Sequence, residues 1–402
     1  MSYTDGFQQS VLKERAERIR NYLSENELKA LVVMDPLNTI YASGLLVYGV
    51  AALRPMVTVI PLDQEPFMIQ DSIYTNTVKY QLEHGRGWIR DIRPYLEHVK
   101  LTNRTYTQNQ IDILLCETLR EKGITKGRVG VDASMGTLAK WLGPHLPDLQ
   151  CVDSSLLLRE MRLVKCKEEL DLIRKAGELS DKAMETYKNA VKVGKTLIEL
   201  ETETAYKISV DAAEEYPEYL IKVTLGHLQG VSETGIIWNR SGYDGKKIKF
   251  GDQLIVYIIV KFNAYSAENE RMFFVGELTD KQKRIANIIT EAHRKGIAAC
   301  VAGNKVSDID SACIRVIEEA GYGDYVPHRS GHGMGLGVHE YWLDMPFNHR
   351  IMKAGMVTSV EPSIGILGYN GFHHSDTVII GDQEPEVVTK YSKNLEDLIV
   401  KA

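Results

Sequence analysis

The chain has 402 residues, a formal net charge of −6, 44% hydrophobic and 25% charged residues, a balance ordinary for a globular protein with ample apolar material for a core. Its pI near 6.0 provides no broad basic surface, which argues against nucleic acid and anionic membranes as partners and points to a small molecule. At about 150 residues per domain, the length predicts two or three domains.

Cys116, Cys151, Cys166, Cys300 and Cys313 are odd in number, far apart and without a CxxC pair, so neither a disulfide framework nor a thiolate zinc site is indicated, and a reducing cytoplasm is expected. The opening MSYTDGFQQSVLKERAERIR is polar and lacks a signal-peptide apolar stretch. No run of about eighteen apolar residues occurs anywhere, so no transmembrane helix is expected.

Residues 8 to 28 carry Val11, Leu12, Ile19, Tyr22 and Leu23 at a helical period, after which Ala30 to Asp35 reads as a buried strand punctuated by Pro36 and Asn38. Met56 to Pro61 and Pro66 to Gln70 continue the strand signal, and a helical pattern at Ile111 to Glu121 precedes a strand at Arg128 to Asp132. This alternation predicts an α/β domain with a mostly parallel sheet over residues 1–157. From Ser155 to Ala190 the pattern turns long and helical, marking the boundary. Residues 158–402 then mix helices near 197–216 and 279–301 with strands at Leu254 to Val260, Met272 to Val275, Val357 to Val360 and Asp376 to Ile380. That is an α+β domain with antiparallel strands flanked by helices.

Four segments combine glycine punctuation with ionisable residues: FGDQLIVYIIVKFNAYSAENERMFFVG (250–276), SGHGMGLGVHE (330–340), AGMVTSVEPSIG (354–365) and GFHHSDTVII (371–380). Their order and wording resemble the creatinase/aminopeptidase P, or pita-bread, family. LVVMDPLNTIYASG (31–44) and REMRLVKCKEELDLIRKAGELSD (159–181) extend the resemblance over the whole chain. The resemblance implies a creatinase-type N-terminal α/β domain and a pita-bread catalytic domain. It also implies a homodimer in which the partner's N-terminal domain completes the site.

In the family's metallopeptidases two aspartates, a histidine and two glutamates hold a pair of divalent ions, since hard cations need several converging anionic oxygens. By resemblance those positions fall here at Tyr257, Glu268, His332, Glu361 and Ser375. Two ligands are lost and one is lengthened, so no metal or other cofactor is expected; a single ion on Glu268, His332 and Glu361 stays open as an alternative.

The metal-free creatinase-like or ectoine-hydrolase-like branch supplies the main expectation. Its two catalytic glutamates match Glu270 and Glu361, and paired carboxylates facing an amidine or guanidine would polarise its central carbon and shuttle protons. The branch's catalytic histidine falls at Arg240, which cannot act as a base, so His332 or His339 would take the proton-transfer role, with His373 and His374 as further candidates and His339 and His374 beside the substrate. Arg54 and Arg240 would clamp a substrate carboxylate, and Trp238, Tyr257 and Tyr265 would line a pocket for a cation. Against this stand blander readings: Glu270 beside Arg271 as a surface ion pair, and the aromatics as core. His373 and His374 would face opposite ways on a strand, so only one of them can reach a cleft.

The expected activity is therefore metal-independent hydrolysis of a non-peptide C–N bond in a small zwitterionic or anionic amidine, guanidine or cyclic amidine acid. The alternatives are an Xaa-Pro aminopeptidase-like or dipeptidase-like metallopeptidase with a reduced metal site, and a non-catalytic binding member of the family.

Overall fold

A computed structural model describes residues 9–47, 54–95, 111–132, 135–229 and 245–401. The chain divides into two compact units, Met1–Arg162 and Leu163–Ala402.

In the first unit, α1 (Gln9–Glu25), β1 (Ala30–Val33), α2 (Pro36–Ser43), β2 (Val57–Pro61), β3 (Phe67–Asp71), α3 (Thr75–Glu83), β4 (Asp91–Tyr95), α4 (Ile111–Glu121), β5 (Gly127–Val131), α5 (Met135–Leu142), β6 (Leu149–Asp153) and α6 (Ser155–Leu163) follow in order. The six strands form one sheet in the order β4-β3-β2-β1-β5-β6. β1 pairs in parallel with β5, β5 with β6 and β3 with β4, whereas β2 runs antiparallel to both of its neighbours. The apolar runs of β1, β2 and β3 are wholly buried, as strands covered on both faces must be. Pro36 and Asn38 do not merely punctuate β1. Asp35 caps a helix there by accepting from the Asn38 amide, and Pro36 occupies its first turn, where a fixed φ and a missing N–H cost nothing.

The long helical pattern after Ser155 resolves into α6 and α7 (Lys167–Ala190), interrupted where Val164 forms a bridge with Met356. The second unit continues with α8 (Leu197–Glu215), β7 (Ile221–Gln229), β8 (Gln253–Phe262), β9 (Tyr265–Val275), α9 (Asp280–Ala298), α10 (Val306–Glu319), β10 (Val357–Val360), β11 (Ser363–Gly365), β12 (Gly371–His373), β13 (Ser375–Ile379), β14 (Glu386–Val387) and β15 (Ile399–Val400). Its main sheet runs β10-β13-β9-β8-β7, all antiparallel, and β11 with β12 forms a separate ribbon. The expected α+β architecture with antiparallel strands and flanking helices is the one present.

The β8–β9 hairpin organises this unit. Asn263 and Ala264 both have positive φ, at 45° and 77°, the twist of a two-residue hairpin turn. That turn pairs Phe262 with Tyr265 and hence Tyr257 with Glu270. β9 begins seven residues earlier than the apolar pattern at Met272 suggests, and all eleven of its residues are buried. The polar run Glu268-Asn269-Glu270-Arg271 hides the strand from hydrophobicity. Inside a sheet such groups need partners, because a bare buried charge is costly. Alternation sends them to two faces. Asn269 donates to Asp181 of α7 at 2.8 Å, and Arg271 binds Asp376 at 2.6 Å and the Tyr391 carbonyl at 2.8 Å. Glu268 and Glu270 face the other way.

Candidate active site

Glu268 and Glu270 meet Glu361, at the end of β10, and His332. All four are buried. Carboxylate oxygens of Glu268, Glu270 and Glu361 lie within 4.8 Å of one another. His332 is brought in by the segment before β10. The Ser359 amide donates to the His332 carbonyl at 2.8 Å, the His332 amide to Ser359 Oγ at 3.0 Å, and the Glu361 amide to the Ser330 carbonyl at 2.9 Å. Gly331 is required by that close approach, since a Cβ there would lie 2.3 Å from the Ser359 carbonyl oxygen.

The His332 ring is oriented by its own backbone. Nδ1 faces the Gly333 carbonyl at 3.2 Å, so Nδ1 carries the hydrogen. Nε2 then points between Glu361 at 3.5 Å and Glu268 at 3.7 Å, and it makes no hydrogen bond. Burial alone would lower its pKa, but Glu361 and Glu268 outweigh that and bring it to about 10. Burial likewise opposes ionisation of Glu361, yet His332, His328 and His373 hold it well below the usual carboxylate range. Glu270 goes the other way: burial, then Glu268 and Glu361, push it well above that range.

Ser375 and Tyr257 flank Glu270 in one row across the sheet. Ser375 Oγ donates to Glu268 at 3.2 Å. Tyr257 shares the Glu270 face, but its hydroxyl lies over Gly226 of β7. His339 packs on His332 with ring centroids 4.0 Å apart and the rings tilted by 37°, and it is itself exposed.

Other expected site residues lie elsewhere. Tyr265 is on the opposite face of β9 from the glutamates, with its hydroxyl on Glu169 at 2.7 Å, so it does not line this cluster. His374 points to the reverse side of the ribbon from its neighbour, packs near His293 and leaves both ring nitrogens without a hydrogen bond. The histidine that reaches Glu270 is His373, through Nε2. Arg54 is ion-paired with Asp71 at 3.3 Å within the first unit. Trp238 and Arg240 lie outside the described residues.

Sequence reasoning gave no role to Ser363, whose hydroxyl bridges His373 and His328, nor to Arg329, whose Nε is buried without a hydrogen bond. Ser363 could be found only from its pairing with His373 across β11 and β12. Arg329 was legible as the cation inside HRSGHG.

The cluster has the groups to hold a divalent cation: Glu268 with His332 and His339, and Glu268 with Glu270 and Glu361, each bring ligand atoms within 4.8 Å of one another. His332 Nε2 is ion-paired with Glu361 and Glu268; a divalent ion would take the place of its proton, and a mixed imidazole–carboxylate set suits a borderline divalent ion. Tyr257, turned over Gly226, and Ser375, which offers only a hydroxyl, add no further carboxylate to these sets.

The profile of the Creatinase/Prolidase N-terminal domain matches residues 15–164 and that of Metallopeptidase family M24 residues 171–382. An Xaa-Pro dipeptidase of Pyrococcus furiosus is 25% identical over 96% of this chain and all of its own. Among solved structures, the prolidase of Pyrococcus horikoshii superposes with a TM-score of 0.77 at 22% identity, over 95% of this chain and 99% of its own. An X-Pro aminopeptidase of Thermotoga maritima gives 0.77 at 22% identity over 96% and 99%. These relatives are peptidases, which overturns the expectation of a creatinase-like or ectoine-hydrolase-like amidinohydrolase acting on a non-peptide C–N bond without metal. The chain belongs to metallopeptidase family M24.

Proposed function

We propose that this protein hydrolyses the peptide bond of a small zwitterionic substrate of the Xaa-Pro dipeptide type, with one divalent ion held by Glu268, His332 and Glu361. The observation that carries this reading is His332 Nε2, buried, oriented by the Gly333 carbonyl and aimed between two carboxylates at 3.5 and 3.7 Å. A bound ion would supply Lewis-acid polarisation of the scissile carbonyl and a more acidic water.

The chain's own residues do the rest. Glu270, kept protonated by burial beside Glu268 and Glu361, gives its proton to the leaving nitrogen and regains one from the attacking water. It therefore ends the cycle as it began. The same carboxylate-rich wall attracts the substrate's ammonium group. The partly buried Arg329 offers a guanidinium for the carboxylate end.

The protein is proposed to act in the cytoplasm, as five unbridged cysteines suit a reducing compartment; no described helix is long and apolar enough to cross a membrane. It is proposed to act as a homodimer, with Arg54 as the residue offered to the partner's site.

The test combines elemental analysis of purified protein with assays on Xaa-Pro and other dipeptides, with and without chelator. One equivalent of ion and chelator-sensitive dipeptide hydrolysis are expected. Full activity in protein stripped of metal would overturn the reading.

A further inference from the structure

We infer that His328, Ser363 and His373 form a one-directional hydrogen-bond chain that orients the Glu270 carboxyl for proton transfer, making the three positioning residues of the site. The inference rests on the reading of Glu270 as the acid that serves the leaving nitrogen.

The chain starts at a carbonyl. His328 Nδ1 faces the Arg329 carbonyl oxygen at 2.5 Å, and a carbonyl only accepts, so Nδ1 carries a hydrogen. Burial keeps His328 neutral at physiological pH, with its pKa at about 4. Nε2 of His328 is therefore an acceptor. Ser363 Oγ, 2.8 Å away, must donate to it. A hydroxyl has one hydrogen, so on its other side Ser363 Oγ accepts, and Nδ1 of His373 is the donor. The neighbouring Pro362 carbonyl also takes a hydrogen bond from His373. Burial keeps this ring neutral as well, at about 4, so its Nε2 is an acceptor, and the hydrogen it takes is the one protonated Glu270 carries on Oε2, held there until the leaving nitrogen takes it. The reverse direction would require hydrogens on both nitrogens of His328 and thus a buried imidazolium.

Local structure enforces the chain. Ser363 and His373 are register partners on β11 and β12. The two histidine rings lie edge to face with centroids 5.9 Å apart, and the serine fills the gap between them. The series runs from the partly exposed His328 to the fully buried His373. It holds one carboxylate of a crowded trio in a single orientation, whereas Glu268 and Glu361 remain turned to His332. A threonine at 363 would preserve every donor and acceptor; alanine would disconnect the chain at its middle.

Two readouts test the inference. The first is nitrogen NMR of the whole, histidine-labelled protein, which needs no activity: His328 and His373 should both show hydrogen on Nδ1 and a bare Nε2. Hydrogen on Nε2 of neutral His373 would overturn the chain whatever the substrate. The second compares Ser363→Ala with Ser363→Thr. Alanine should lower kcat about 10- to 100-fold with KM and bound metal unchanged and a modest fall in melting temperature from the two stranded imidazole nitrogens, and threonine should restore most of both losses. An unchanged kcat, or a loss confined to KM, would refute the positioning role. An NMR pattern as expected in a protein without dipeptidase activity would instead defeat the functional reading alone.

Discussion

Tyr257 and Gly226 stand directly opposite each other on β8 and β7, and the tyrosine hydroxyl lies 2.5 Å from where a Cβ on Gly226 would be. The glycine thus provides the room that lets the ring lie across the neighbouring strand. Gly226→Ala should force the ring to move, at about 1–3 kcal/mol in stability by overpacking. A urea titration would show it as a lower midpoint at constant slope, and an unchanged midpoint would mean that the ring has another place to go.

The same row bears on the proposed single ion. Because Tyr257, Glu270 and Ser375 are register neighbours, the double variant Tyr257→Asp with Ser375→Glu places two carboxylates beside Glu270. Its bound metal should rise from one to two equivalents by elemental analysis. A stoichiometry that stays at one would show that the strand row alone does not build the pair.

Much of this was legible in the sequence, and what was not has identifiable causes. The order GD, ENER, GHG, EP and HHSD carries the family and places Glu270, His332 and Glu361 together. Period-two alternation separates Glu268 and Glu270 from Asn269 and Arg271, and it also divides His373 from His374. Alternation cannot say which face is the site; that follows from α7 covering the Asn269 side. Ser363 was hidden because its role comes from a ribbon pairing, across a turn, with a residue ten positions away. The amidinohydrolase expectation failed because the loss of two ligand positions does not by itself select a metal-free branch: Glu268, His332 and Glu361 are all present, with both carboxylates within 3.7 Å of His332 Nε2.

Acid should weaken the second unit through Asp376. Burial would raise its pKa, but Arg271 and Lys393 outweigh that and depress it from 3.8 to about 2. A depressed carboxylate contributes stability above its unfolded pKa and loses it as pH falls through the folded value. The urea midpoint of the wild type should therefore drop between about pH 4 and pH 2. Asp376→Asn leaves Arg271 buried against a neutral partner and should cost about 3–5 kcal/mol at neutral pH. That variant should also show a flatter acid limb; an equally steep one would assign the acid sensitivity to other carboxylates.

Gly331→Ala tests how His332 is aimed. The added methyl would meet the Ser359 carbonyl at 2.3 Å, so the segment must shift away from β10 and carry Nε2 with it. Metal affinity should fall about tenfold or more by equilibrium dialysis, and undiminished affinity would mean that His332 is not among the ligands.

The division of labour among the glutamates gives the sharpest contrast. Glu268 lies on the His332 side and receives the Ser375 hydroxyl, whereas Glu270 is engaged by His373. Glu268→Gln should therefore lose the ion and activity together. Glu270→Gln should keep one equivalent of metal and a near-normal KM while kcat falls about 100-fold or more, since a positioned acid contributes on that order. Calorimetric metal titration beside steady-state kinetics separates the two outcomes. If Glu270→Gln also releases the ion, Glu270 is a ligand and the leaving nitrogen must take its proton from another group.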